Sequence, residues 1–196
     1  DVPYTRVTAA RDAARLAPGN PAILTELGKL LNDRDFKVRA SAVEAYVALG
    51  GDADAASRLL SDRFASVREA ALQALLERDG DLELARRMMS DADQNVRLTA
   101  VNMFLAQDGN PDLIADMLSD PDDLIRESAF DGLQEKRRDP SLARRMLSDP
   151  APVVRSAAVK SFLKLGGDRE VLAPLLSDSE AIVRQAVATG FVIDGV

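Results

Sequence analysis

Apolar residues recur along the chain in two helical patterns that alternate. In the first pattern they occupy positions i, i+1, i+4 and i+5, as in Leu84, Ala85, Met88 and Met89. In the second they occupy i, i+3, i+4, i+7 and i+8, as in the stretch 67–75. Either spacing collects the apolar side chains on one face of an α-helix. The pattern therefore predicts pairs of amphipathic helices, a helix A of about eight to ten residues followed by a helix B.

The helix pairs repeat at a fixed interval. A Leu-Ser-Asp sequence or a close variant ends each helix A, and a Val-Arg or Ile-Arg pair follows near the start of helix B. Successive pairs lie 29 residues apart at every step, and they begin at Val38, Val67, Val96, Ile125, Val154 and Val183. A fixed period of this size is typical of stacked supersecondary units. We therefore expect an all-α fold, a right-handed superhelical solenoid of antiparallel helix pairs.

Capping residues divide the chain into segments. Residues 20–196 are expected to form six repeats of one solenoid domain, and residues 1–19 a degenerate N-terminal capping helix that ends at Pro18-Gly19. The alternative for residues 1–19 is a piece of a preceding domain. Asn and Asp suit the N-cap, and Pro suits the first helical position. The predicted N-cap residues are Asn20, Asp35, Asp52, Asp81, Asp93, Asn110, Asp122, Asp139 and Asp168.

Composition excludes several classes of chemistry. The 196 residues include neither cysteine nor histidine, which excludes disulfides and thiolate sites and removes the commonest general base. The net charge of −7 opposes a protein that coats a phosphate backbone, so we expect no nucleic acid partner. No apolar run approaches the roughly 20 residues that a membrane-spanning helix needs. We expect no cofactor, no metal, no catalytic residue, no membrane insertion and a cytoplasmic location.

The turn between the two helices resembles that of the HEAT repeat family. The resemblance lies in a turn Asp followed by Val-Arg-x-x-Ala, as in Asp62 and the stretch 67–71, and it extends over residues 20–196. The short 29-residue unit is similar to the HEAT-like repeats of phycobilisome lyases. This resemblance implies that helix B lines a concave surface.

The resemblance also implies a ladder, in which the turn Asp and the helix-B Arg of adjacent repeats form charged hydrogen bonds. Both residue types recur in every copy, which indicates a structural role and not a ligand site. The predicted ladder residues are Asp62, Arg68, Asp91, Arg97, Asp120, Arg126, Asp149 and Arg155.

Variable residues on helix B are the candidates for binding. Helical spacing places them on the face that belongs neither to the core nor to the ladder. This face is expected to be apolar along one edge and mildly acidic elsewhere, which suits a peptide or protein with apolar anchors and basic flanks. The predicted partner-binding residues are Glu44, Val47, Glu69, Gln73, Leu76, Asn102, Leu105, Glu127, Asp131, Gln134, Lys160 and Leu163.

Two local features stand apart from the repeat. The fourth repeat departs most from the others, since Asp131-Gly132, Gln134 and Arg138 replace its usual residues. The C-terminal stretch 191–196 is apolar and is a possible contact surface.

The sequence favours a non-enzymatic scaffold or adaptor that binds a peptide or protein on the concave helix-B surface. One alternative is a lyase or chaperone for a tetrapyrrole-bearing protein, which pigment absorbance on co-expression would reveal. Another is a structural spacer or assembly segment of a larger protein. A HEAT-like DNA glycosylase is disfavoured by the acidic charge and by the absence of Trp.

Overall fold

The computed structural model describes residues 21–193 and three positions of the N-terminal segment, Thr8, Ala9 and Asp12. The predicted capping helix of residues 1–19 therefore lies, apart from those positions, outside the described residues. The chain divides into two units, Asp1–Gly109 (unit 1) and Asn110–Val196 (unit 2). The prediction that residues 20–196 form one domain stays a prediction.

Unit 1 consists of alternating A and B segments. The A segments are α1 (Pro21–Leu30), α3 (Ala53–Ser57) continued by the 3₁₀ helix η1 (Arg58–Ser61), and α5 (Leu82–Met88). The B helices are α2 (Phe36–Ala48), α4 (Ala65–Asp79) and α6 (Gln94–Ala106). Each A segment packs against the B helix of its own repeat, and α2, α4 and α6 pack side by side in that order.

Unit 2 repeats the same arrangement. The A segments are η2 (Pro111–Ser119), α8 (Pro140–Met146) and η3 (Arg169–Ser177). The B helices are α7 (Asp123–Arg137), α9 (Pro152–Lys164) and α10 (Ala181–Ile193). Helix α9 packs between the other two B helices. The structure is thus all-helical over the residues it describes, as predicted.

The helix starts follow the capping residues read from the sequence. The side chain of Asp81 accepts hydrogen bonds from the backbone N–H groups of Glu83 and Leu84, which would otherwise lack partners at the helix start. Such caps are present at Asp35, Asp52, Asp81, Asp93, Asn110, Asp122, Asp139 and Asp168. Asn20 lies outside the described residues.

Several A segments are wound more tightly than predicted. The sequence predicts α-helix throughout, whereas η2 and η3 are 3₁₀ helices and α3 passes into η1. Pro174, which lacks a backbone N–H, lies inside η3, but η2 has no proline beyond its first residue. Each of these segments is short and lies between an N-cap residue and the Ser-Asp turn, so an α-helix there would form only a few i→i+4 hydrogen bonds. Side-chain packing therefore decides between the α-helical and the 3₁₀ pitch.

The core of each unit consists of small and branched side chains. A column of alanines on helix B is fully buried, which lets neighbouring helices approach closely: Ala42, Ala71, Ala100, Ala129 and Ala158. Phe104 and Leu133 fill the larger spaces one turn further along. The repeat-to-repeat packing that the 29-residue period predicts is therefore present within each unit.

Candidate functional site

The arginines of helix B contact the aspartates of the following repeat. Arg126 donates through Nε and Nη2 to both carboxylate oxygens of Asp149, at 3.0 and 2.8 Å, and through Nη1 to the backbone carbonyl of Asp120 at 2.9 Å. The same paired contacts join Arg39 to Asp62, Arg68 to Asp91 and Arg155 to Asp178.

Each of these aspartates also accepts a hydrogen bond from the backbone N–H two residues later, as Asp149 does from Ala151. Burial by itself would raise the pKa of Asp149, but the hydrogen bonds from Arg126 and from Ala151 hold it below its ordinary value. Both partners are almost completely enclosed, so the ladder presents no charge to a ligand. Its residues hold successive repeats together.

Neighbouring B helices enclose three clefts at the predicted binding positions. In unit 1, a cleft of about 580 Å³ between α2 and α4 is lined by Glu44, Val47 and Gln73. In unit 2, a cleft of about 460 Å³ between α7 and α9, here called the acidic cleft, contains Glu127, Asp131 and Gln134. A second cleft of unit 2, about 520 Å³ between α9 and α10, is here called the apolar cleft and is lined by Lys160 and Leu163.

The predicted apolar edge of the binding face is partly core. Val47 is 2% exposed and Leu76 is 1% exposed, so neither is available to a partner. Val47 lies one residue before the end of α2, and Leu76 lies three residues before the end of α4. Leu105 and Leu163 are half-buried and keep some accessible surface.

The predicted polar positions divide between structural and free groups. Glu69 accepts a hydrogen bond from the Thr99 hydroxyl at 3.1 Å, and Gln73 donates to Glu77 at 2.9 Å. Asn102 is exposed on α6.

Gln134 has a structural role that its position in the repeat did not reveal. Its side-chain amide donates to the backbone carbonyl of Asp139 and accepts from the backbone N–H of the same residue, both at 2.8 Å. This pair of bonds closes the turn between α7 and α8, and Gln134 is buried. The sequence gives no signal for this role, because both bonds depend on the backbone conformation of the folded turn.

The acidic cleft is lined by three carboxylates of α7 spaced one helical turn apart, Glu127, Asp131 and Glu135, and by the cationic side chains of Lys160, Lys164 and Arg138. Glu127 and Asp131 lie on the same face of α7, opposite Lys160 on α9, and among the described residues no hydrogen bond or ion pair joins either carboxylate to another side chain. Burial raises the pKa of Asp131 while Lys160 opposes the rise. Burial also raises the pKa of Glu127, the charge of Asp131 adds to the rise, and Lys160 again opposes it.

These two carboxylates therefore lose hydration and gain no direct cationic contact in return. A cation that enters the cleft would relieve both costs, because it would pair with two carboxylates at once. Arg138, at the end of α7, also lines the cleft with its backbone in the left-handed region at φ 49°. The residue takes the helix-end position that Gly80 occupies in unit 1.

Some cleft residues were not found from the sequence. Lys164 lines both clefts of unit 2 and Ile182 lines the apolar cleft, whereas Ser156, Gln185 and Thr189 of the apolar cleft follow the helical spacing that predicts the binding face. Lys164 lies one turn after Lys160, so an i, i+4 count from that residue would have found it. In the part of the chain that the structure describes, no group of three or more acidic side chains is placed to hold a metal ion.

Comparison with protein families decides the family. The model described as HEAT repeats matches twice, over residues 82–162 and 110–190, which together exceed half of the chain. The chain belongs to the HEAT repeat family. Comparison with curated protein sequences finds no significant match.

Solved structures show the same helical repeat architecture. The chain is similar to YibA of Escherichia coli, with 20% sequence identity and a TM-score of 0.63 over 94% of this chain and 73% of that one. Human deoxyhypusine hydroxylase is 17% identical, with a TM-score of 0.42 over 97% of this chain and 79% of that one. A designed armadillo repeat protein is 18% identical, with a TM-score of 0.33 over 97% of this chain and 98% of that one. The likeness to YibA concerns the fold alone.

Within the described residues, every helix falls short of the length and apolar character that crossing a membrane requires.

Proposed function

We propose that this HEAT repeat protein is a non-enzymatic adaptor that binds a partner peptide on the helix-B surface of unit 2. The observation that carries the proposal is the acidic cleft, where Glu127 and Asp131 lie together without a cationic side chain in contact. HEAT repeats commonly mediate protein interaction, which supports this class of function. The partner segment carries a Lys or Arg that enters the cleft and pairs with the two carboxylates.

The structural role of the ladder supports a separate binding role for the clefts. Because the ladder arginines are already saturated by carboxylates and backbone carbonyls, they draw no anion to the surface. Glu127, Asp131, Lys160 and Lys164 on helix B of unit 2 line the clefts and make no ion pair with another described residue. A surface that pairs an acidic cleft with half-buried Leu163 suits a segment with one basic and one apolar anchor.

The test is a selection of random linear peptides, displayed with their C-termini fused to a carrier, on the immobilised full chain. We expect the enriched peptides to contain a Lys or Arg next to apolar residues. Their affinity should fall about tenfold or more for Glu127→Gln plus Asp131→Asn, because the charge-assisted hydrogen bonds are lost.

The matched control is Asp54→Asn plus Glu83→Gln, which removes two exposed carboxylates from helix-A segments of unit 1. This variant should bind the selected peptides as the wild type does. Equal binding by the wild type and the cleft variant would show that the peptides use another surface, and the proposal would be wrong.

A further inference from the structure

The apolar cleft has a cationic rim. Lys160 and Lys164 lie one turn apart on α9, both are exposed, and in the described part of the chain neither has an acidic side chain within 4.0 Å. Lys160 also borders the acidic cleft, so the two clefts share this edge of α9. The charge along the surface therefore changes from negative at α7 to positive at α9.

The wall beside these lysines is apolar. Leu163 and Ile182 face the cleft from opposite helices, and Ile182 is 45% exposed. Gly190 lets Leu163 approach α10 closely, since a Cβ at that position would overlap the leucine side chain. The cleft thus offers apolar contact area directly next to two ammonium groups.

A polar group at the floor of this cleft has no partner. Ser156 is 2% exposed, and its hydroxyl is buried and makes no hydrogen bond among the described residues. A buried hydroxyl without a partner carries a free-energy cost. The remaining polar groups of the cleft, Gln185 and Thr189, are exposed side chains that can bond to a peptide backbone.

We propose that the apolar cleft binds the C-terminal residue of the partner peptide, with its free carboxylate at Lys160 and Lys164 and an aliphatic side chain against Leu163 and Ile182. This inference rests on the proposed function and specifies its partner. An internal Asp or Glu fits the cleft less well, because its side chain supplies the anion but no apolar group. A C-terminal Leu, Ile or Val carries both on one Cα.

The spacing of the two clefts sets the spacing within the peptide. Packed helices lie about 8–10 Å apart. An extended chain covers that distance in about three residues, at roughly 3.3 Å per residue. The basic residue that enters the acidic cleft is therefore about three residues before the C-terminal aliphatic residue.

The experiment is a display selection in which the last six residues are random and the C-terminus is free. The full chain is the bait, and the best sequence is then synthesised twice, with a free carboxylate and with a C-terminal amide. We expect selected peptides to end in Leu, Ile or Val and to carry Lys or Arg about three residues earlier. Amidation should weaken binding about tenfold or more, because it removes the charge that the two lysines recognise.

Variants of the protein locate the contact. Lys164→Gln should weaken binding of the free-acid peptide about tenfold and should not weaken binding of the amide. The matched control is Lys37→Gln, an exposed lysine of α2 in unit 1, which should bind both peptides as the wild type does. Superimposable thermal melts of the two variants and the wild type check that each remains folded.

The outcomes separate the two proposals. A selection without C-terminal preference, or equal binding of acid and amide, overturns this inference. If peptides still depend on Glu127 and Asp131 in that case, the proposed function stands without it. If binding depends on the free carboxylate and Lys164 but not on Glu127 and Asp131, the apolar cleft stands and the acidic-cleft function is wrong.

Discussion

Arg126 is fixed by contacts with two repeats at once. It binds both oxygens of Asp149 and the backbone carbonyl of Asp120, and it is 8% exposed. Arg126→Ala leaves the Asp149 carboxylate buried without its cation, so we expect the free energy of unfolding to fall by about 3 kcal/mol. Chemical denaturation at pH 7 measures this, with exposed Arg144→Ala as the control. A loss below about 0.5 kcal/mol would contradict a structural role for the ladder.

The contribution of Asp149 should also depend on pH. Its pKa in the folded protein lies below the ordinary value, so the unfolded chain binds the proton more readily. Its stabilisation is therefore complete above about pH 4, the ordinary Asp pKa, and is lost as the pH falls through the folded pKa. Asp149→Asn should make the unfolding free energy less steep below pH 4. An unchanged slope would show that other carboxylates control acid unfolding.

Arg138 has a backbone conformation that glycine adopts at lower cost. Its φ of 49° and ψ of 49° match the left-handed end that Gly80 gives to α4. Arg138→Gly should therefore raise the unfolding free energy by about 0.5–1 kcal/mol, after the entropic cost of glycine in the unfolded chain. The reverse change, Gly80→Ala, should lower it. A destabilised Arg138→Gly would mean that the arginine side chain contributes more than its strained backbone costs.

At the scale of one helix, α7 carries a pair of carboxylates that opposes folding. Because the pKa values of Glu127 and Asp131 are raised in the folded state, the pair disfavours folding above those values, and the cost disappears below the ordinary carboxyl pKa. Glu127→Gln plus Asp131→Asn should stabilise the protein at pH 7 by less than about 1 kcal/mol, since solvent screens the exposed side. The gain should vanish near pH 3. Loss of stability at pH 7 would assign the pair a structural role.

The ends of several B helices close on an aromatic ring. The backbone N–H of Gly167 donates to the Phe162 carbonyl at 2.8 Å, and a Cβ at Gly167 would overlap the phenylalanine ring. Gly167→Ala should therefore lower the free energy of unfolding by about 2 kcal/mol or more, because the phenylalanine ring and the backbone must move apart. Combining it with Phe162→Leu should cost less than the sum of the two single changes. Strict additivity in thermal melts would show that ring and glycine do not interact.

At the scale of the whole molecule, each repeat of a solenoid contacts only its neighbours, so damage should stay local. Phe130 is fully buried in α7, so Phe130→Ala should lower the free energy of unfolding by about 3–5 kcal/mol. Hydrogen exchange should then show lost protection in α7 and α9 and retained protection in α2 and α4. Leu72→Ala in unit 1 should give the mirror pattern. Equal loss everywhere would show that the chain unfolds as one cooperative body.

Much of the fold was readable because repetition averages out local ambiguity. Six aligned copies place Val67 and its equivalents in the core, and they place Asp81 and the other caps at helix starts. A single copy would not separate a buried Val47 from a half-buried Leu163, since both positions are apolar and lie nine residues after the Val or Ile of their repeats. Exposure there depends on the neighbouring repeat. The 3₁₀ pitch of η2 likewise left no residue-level signal.

The sequence by itself determined the helix pairs and their 29-residue period, because helical periodicity and capping act over a few neighbouring residues. The ladder was expected from the resemblance to HEAT repeats. Tertiary structure alone decided which helix-B positions remain accessible. It brought Lys160 of α9 opposite Glu127 and Asp131 of α7 and placed Ser156 under the apolar cleft. It also allowed the side chain of Gln134 to close the turn between α7 and α8 by hydrogen bonding. These relations join residues of successive repeats, and the distance and burial between two helices follow from how their side chains pack.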